Sequence, residues 1–145
     1  MSNPCVKCGH DPDAAVRASW SFTIEREVKS LNDHNVNVKG WRGAVYKKDR
    51  GAWVQWFQLM RVNHRIPLAT GKRVVTLTRI MGSGQREFDR DNLHGGLKSA
   101  LDAMVYTCLI TGDSIAHATI LYDQQRRSGP GVKPGLHVLL EELAQ

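Results

Sequence analysis

The sequence predicts a small α/β fold of the α+β type, a mixed sheet of about four strands packed with two main helices. Two segments carry the alternating or β-branched character of strands, two others repeat apolar residues at helical spacing, and Gly- and Pro-rich stretches separate them. A chain of 145 residues fits one domain and buries roughly two thirds of its unfolded surface. Hydrophobic residues at 41% and charged residues at 23% exclude a disordered chain.

The elements follow in order. Residues 18–28 alternate at Trp20, Phe22 and Ile24, the period of a half-buried strand. Residues 29–43, with Asn32, Asp33, Asn35, Asn37, Gly40 and Gly43, read as a long loop, which in a compact domain is commonly functional. From Asp49, the expected cap, Trp53, Trp56, Phe57 and Met60 recur on a single helical face. A basic connection, Arg61 to Lys72, is interrupted by Pro67 and Gly71. Arg73 to Ile80 is β-branched and reads as a central strand. After a loop at 81–86, helical spacing runs from Asn92 through Leu93, Leu97, Ala100, Leu101, Met104, Val105 and Cys108, and ends at Gly112. A strand at 115–122 and a last strand at His137 to Leu140 flank an irregular stretch at 123–135.

No apolar run approaches the ~18 residues of a spanning helix, and the first residues lack the charged and apolar regions of a signal peptide. A cytoplasmic protein with no membrane partner is expected. Lys and Arg exceed Asp and Glu by 20 − 14 = 6, a surplus that draws polyanions such as nucleic acid. Cys108 lies among apolar residues and reads as core. Cys5 and Cys8, with His10, form half of a zinc knuckle, but no further histidine stands at a standard return spacing, which argues against structural zinc. Residues 1–15 therefore read as a tail, and residues 16–145 as the domain.

Within this basic chain Asp89 and Asp91 stand i, i+2, and Asp113 follows 22 residues after Asp91. Carboxylates suit Mg²⁺, which takes one or two of them and leaves its other positions to water and substrate phosphate. In an extended segment Asp89 and Asp91 would share a side, with Asn92 capping the next helix. A straight helix of about 18 residues would carry Asp113 ~27 Å away. Convergence therefore requires the chain to fold back after Ile110, a helix start delayed by Gly95-Gly96, or a neighbouring subunit. Lys98 and Asp102 are either an exposed i, i+4 ion pair or, for Lys98, a cation for the scissile phosphate.

The order Asp89-x-Asp91-Asn92-Leu93, Leu97-Lys98, Leu101-Asp102-Ala103 and Ile110-Thr111-Gly112-Asp113 resembles the RusA family of Holliday junction resolvases over about residues 72–143. The resemblance implies a RusA-like fold and a homodimeric endodeoxyribonuclease, a hydrolase of DNA recombination and repair common in prophages. It implies Mg²⁺, with Mn²⁺ as an alternative, held by Asp89, Asp91 and Asp113, with Lys98 assisting catalysis and a four-way junction as substrate. Two departures stand out: three additional residues between Asn92 and Lys98, and Gly112 in place of the first aspartate of a doublet. Arg86, Arg90, Arg126, Arg127 and Lys133 are candidate DNA-backbone contacts, and Trp41 a stacking or wedging aromatic. A non-catalytic DNA-binding phage protein of the same fold is the alternative.

Overall fold

The computed structural model describes residues 15–34, 43–127 and 129–144. Their order is β1 (Val16–Ile24), α1 (Leu31–His34), α2 (Ala44–Asn63), β2 (Arg73–Met81), α3 (Arg90–Gly96), α4 (Lys98–Tyr106), β3 (Ala118–Arg126) and β4 (Gly135–Leu143). The strands form one mixed sheet in the order β1-β4-β2-β3, antiparallel except for the parallel β2–β3 pair. This is an α+β fold. Among the described residues no helix is long and apolar enough to cross a membrane.

The register explains which face holds the core. Phe22, Val138, Leu77 and Tyr122 pair in one row across the sheet, Trp20, Leu140, Val75 and Ile120 in the next. Because strand side chains alternate, these rows share one face. They pack with Trp53 and Phe57 of α2 and with Ala100, Ala103 and Met104 of α4. Two rows on that face carry arginine. Arg73 lies 4.9 Å from the Trp20 ring and donates to the Pro67 and Leu109 carbonyls, while Arg79 faces Gln124. Burial lowers the pKa of both arginines, with Glu142 opposing the shift at Arg73 and Glu27 at Arg79.

Several boundaries differ from the sequence expectation. α2 begins at Ala44, so Asp49 is not its cap. Asp49 occupies the buried stripe one turn before Trp53, where it accepts hydrogen bonds from Arg26 (2.8 Å) and Ser99 (2.6 Å). Paired in this way, a carboxylate can take a place in an apolar stripe. The long loop contains the single turn α1, and Trp41, like Cys5, Cys8 and His10, lies outside the described residues. β3 and β4 are each nine residues long, extending into the Gly- and Pro-rich stretch that reads as irregular, because pairing with β2 continues to Met81↔Arg126 and Ile80↔Gly135.

The segment from Asn92 to Ile110 is two helices, not one. It breaks at Leu97, and α4 ends at Tyr106. Cys108 is exposed rather than core, with φ 61, because the chain reverses there and its carbonyl accepts from the Ala69 N–H at 2.8 Å. Gly95-Gly96 end α3 instead of delaying a helix. A Cβ on Gly96 would lie 1.8 Å from the Lys29 carbonyl oxygen, and one on Gly95 would lie 2.6 Å from the Leu31 side chain. The two glycines thus let the segment before α1 pack directly on α3.

Candidate functional site

The carboxyl ends of the parallel strands β2 and β3 position the Asp89 loop, whereas Asp113 comes from the segment that leads into β3. The loop leaving β2 is held by its own side chains. Gln85 accepts from the Gly82 N–H (2.8 Å) and donates to Glu27 (3.0 Å), while Arg126 donates to the Gln85 carbonyl (2.8 Å). Phe88 is then fixed to β3 by Gln124. Its side-chain oxygen accepts from the Phe88 N–H (2.9 Å) and from Arg79 (2.8 Å), and its amide donates to the Phe88 carbonyl (2.8 Å). The Arg79 guanidinium also lies 3.5 Å from the centre of the Phe88 ring. Asp89 follows directly.

Asp89 is the N-cap of α3. Its carboxylate accepts from the Asn92 N–H (2.8 Å) and from the Asn92 side-chain amide (3.0 Å). Expectation and structure exchange roles here, since Asn92 is the donor and Asp89 the cap. Asp91 lies in the first turn, so the pair is not two positions of one extended segment. Both carboxylates are exposed.

Three residues on, His94 stacks on Tyr122 of β3, ring centres 3.7 Å apart and planes 21° from parallel. Burial lowers the His94 pKa, Arg90 adds to the shift and Asp91 opposes it. Burial raises the Tyr122 pKa, and the charge of Asp113 adds to it. The stack therefore joins the surroundings of Asp91 to those of Asp113. Glu87, Arg90 and Asp123 line a cavity of about 310 Å³ around it.

Lys98 opens α4 and reaches Asp113, 15 residues later, at 2.5 Å, and Asp102 at 3.0 Å. Lys98 therefore makes the expected i, i+4 pair and in addition meets the third aspartate. The chain folds back after Ile110, so Asp113 joins Lys98 within one subunit. The Lys98 hydrogen bond holds the Asp113 carboxyl below its ordinary pKa, against the effect of burial. The two carboxyls share one cation yet shift in opposite directions. Asp102 is raised, first by burial and then by the charge of Asp113, and it also accepts from the Tyr46 hydroxyl. Burial dominates at Asp102 and the closer Lys98 contact dominates at Asp113, which together account for the asymmetry. At Gly112, where the RusA pattern has an aspartate, a Cβ would lie 2.9 Å from the His117 ring, so a side chain there would have to displace His117.

The basic candidates separate into two groups. Arg86, Arg90 and Arg127 are exposed, whereas Arg126 is engaged with Gln85 and Met81, and Lys133 approaches Glu25 at 3.9 Å. Among the described residues no three His, Cys, Asp or Glu side chains form a group able to hold one metal ion. The donor set nevertheless suits a hard cation that needs only one or two protein carboxylates: Asp91 is exposed, and Asp89 retains acceptor capacity beyond its two Asn92 bonds. Gln124, Tyr122, His94 and Tyr46 were not marked by the sequence, because their parts depend on the β2–β3 register and on α2 facing α4. No family model matches the chain, and no curated protein matches it.

Proposed function

We propose that this chain is a Mg²⁺-dependent, structure-selective endodeoxyribonuclease of RusA type that cuts four-way or related branched DNA during recombination and repair. The observation that carries the proposal is the 2.5 Å contact of Lys98 with Asp113, which unites within one chain the lysine and the last aspartate of the sequence pattern. The His94–Tyr122 stack, one helical turn after Asp91 on α3, extends that patch toward the first aspartates.

Asp89 and Asp91 would hold the ion, Mg²⁺ or Mn²⁺, while Asp113, the third ligand that the sequence pattern implies, is engaged by Lys98. Bound there, the ion supplies Lewis-acid polarisation of the phosphoryl oxygen and a water of lowered pKa. Asp113 contributes a carboxylate kept ionised by Lys98. Lys98 has three N–H donors, and with Asp113 and Asp102 as partners one remains for the charge developing on the phosphate. Arg86, Arg90 and Arg127 would position the DNA backbone without reading sequence. Arg126 would act by holding the loop before Asp89. A symmetric homodimer suits paired incisions across a junction.

The test is incubation of pure protein with a synthetic four-way junction, a flap and a linear duplex, in Mg²⁺ and in EDTA. Cutting of branched substrates in Mg²⁺ alone is expected. No Mg²⁺-dependent cutting of any substrate would defeat the proposal. A non-catalytic DNA-binding module is the second reading, favoured by the lack of three converging ligands among the described residues, and binding without cutting would select it.

A further inference from the structure

A groove outside the aspartate pair runs between α2 and α4. It encloses about 490 Å³ and is walled by Lys47, Arg50, Gly51 and Gln55 on one side and by Asp102 and Tyr106 on the other. Lys98, Asp102 and Tyr106 recur every four residues, so they share one face of α4. Asp102 in the wall is bonded to Lys98 at 3.0 Å, so the groove lies beside the Lys98–Asp113 contact, and Tyr106 stands two helical turns, ~12 Å, from Lys98.

Its chemistry is that of a strand-binding channel. Lys47 and Arg50 are exposed, while Asp102, the acid in the wall, is already engaged by Lys98 and Tyr46. Tyr106 is 72% exposed, offering a ring face at the far end. Gly51 adds an independent observation. Glycine weakens a helix interior, yet a Cβ there would meet nothing within 4 Å, so packing within the described residues gives no reason for it. A bare backbone on a groove wall suits the close approach of something from outside the chain.

We propose that this groove binds one unpaired strand of DNA leading to the cut site, with phosphates on Lys47 and Arg50 and a base stacked on Tyr106. The strand's relation to a cut rests on the nuclease reading, whereas the binding itself does not. Aromatic stacking tolerates any base, and cations tracking the backbone add salt dependence.

Anisotropy of a fluorescent oligothymidylate, measured in EDTA with the full chain, tests the groove apart from any cleavage. Wild type is expected to bind, and Tyr106→Ala to weaken binding about fivefold or more. The double variant Lys47→Gln/Arg50→Gln should lower the log–log salt slope by about 1.4, from ~0.7 per phosphate contact. Arg17→Gln, an exposed arginine on β1, supplies the baseline for loss of a charge. Gly51→Ala should raise the melting temperature and still weaken binding, which separates the groove from a folding effect. Wild type that ignores the oligonucleotide, variants that bind it as wild type does, or equal affinity for a polyglutamate of matched charge would each overturn the proposal. If groove variants lose binding while no substrate is ever cut, the groove stands and the nuclease reading falls.

Discussion

Lys98 is the residue on which the site turns, since its ammonium meets both Asp113 and Asp102. A carboxyl whose pKa is depressed on folding stabilises the fold above its unfolded pKa, and that contribution disappears as pH falls through the folded value. Asp113 is such a group. Asp102, raised by burial, has the opposite slope, being easier to accommodate once protonated. In Lys98→Gln both carboxyls lose their cation, so Asp113 should titrate at higher pH than in wild type, as read by carboxyl ¹³C NMR. An unchanged Asp113 titration would mean that the pair does not form in solution. Both side chains are substantially exposed, at 51% and 40%, so the effect on stability should be small and salt-dependent.

Among the elements, α3 depends on two attachments. Gln124 fixes the segment entering it through two hydrogen bonds to the Phe88 backbone and makes a third to Arg79, so Gln124→Ala should cost about 1–3 kcal/mol in urea unfolding by leaving partly buried polar groups without partners. Wild-type stability would show that the clamp is dispensable. Gly96 fixes its other end. Because a Cβ would meet the Lys29 carbonyl at 1.8 Å, Gly96→Ala should destabilise by about 1–3 kcal/mol although alanine favours helices, and a rise in melting temperature would contradict that packing. These contacts explain what could be read from the sequence and what could not. The stripe of Trp53 and Phe57, the alternation of β1 and the β-branched run of β2 are local patterns, and all three are present as elements. The break at Leu97 and the role of Gln124 depend on contacts between segments distant in sequence, which no local period encodes. Cys108 misleads for the same reason, as an apolar neighbourhood conceals a chain reversal.

At the scale of the whole molecule, the sheet register brings the Asp89 loop and several of the basic candidates to one end. Pairing of Met81 with Arg126 aligns the carboxyl ends of β2 and β3, so the loop of Arg86 and Asp89 emerges beside Arg126 and Arg127, and the Ser83 N–H donates to the Val132 carbonyl at 3.1 Å to bring in the segment before β4. The pattern of aspartates was legible from residue type and spacing alone. Their spatial relation was not, because it depends on the helix break at Leu97 and the chain reversal at Cys108, both between Asp91 and Asp113. The proposed nuclease stands or falls on Asp91 as part of a metal-assisted phosphodiester-cleaving site. It is tested by the initial rate of four-way-junction cutting in Mg²⁺ by wild type and by Asp91→Asn, with circular dichroism confirming that both are folded. Asp91→Asn is expected to cut no faster than wild type does in EDTA; cutting by Asp91→Asn at the wild-type rate would overturn the proposal.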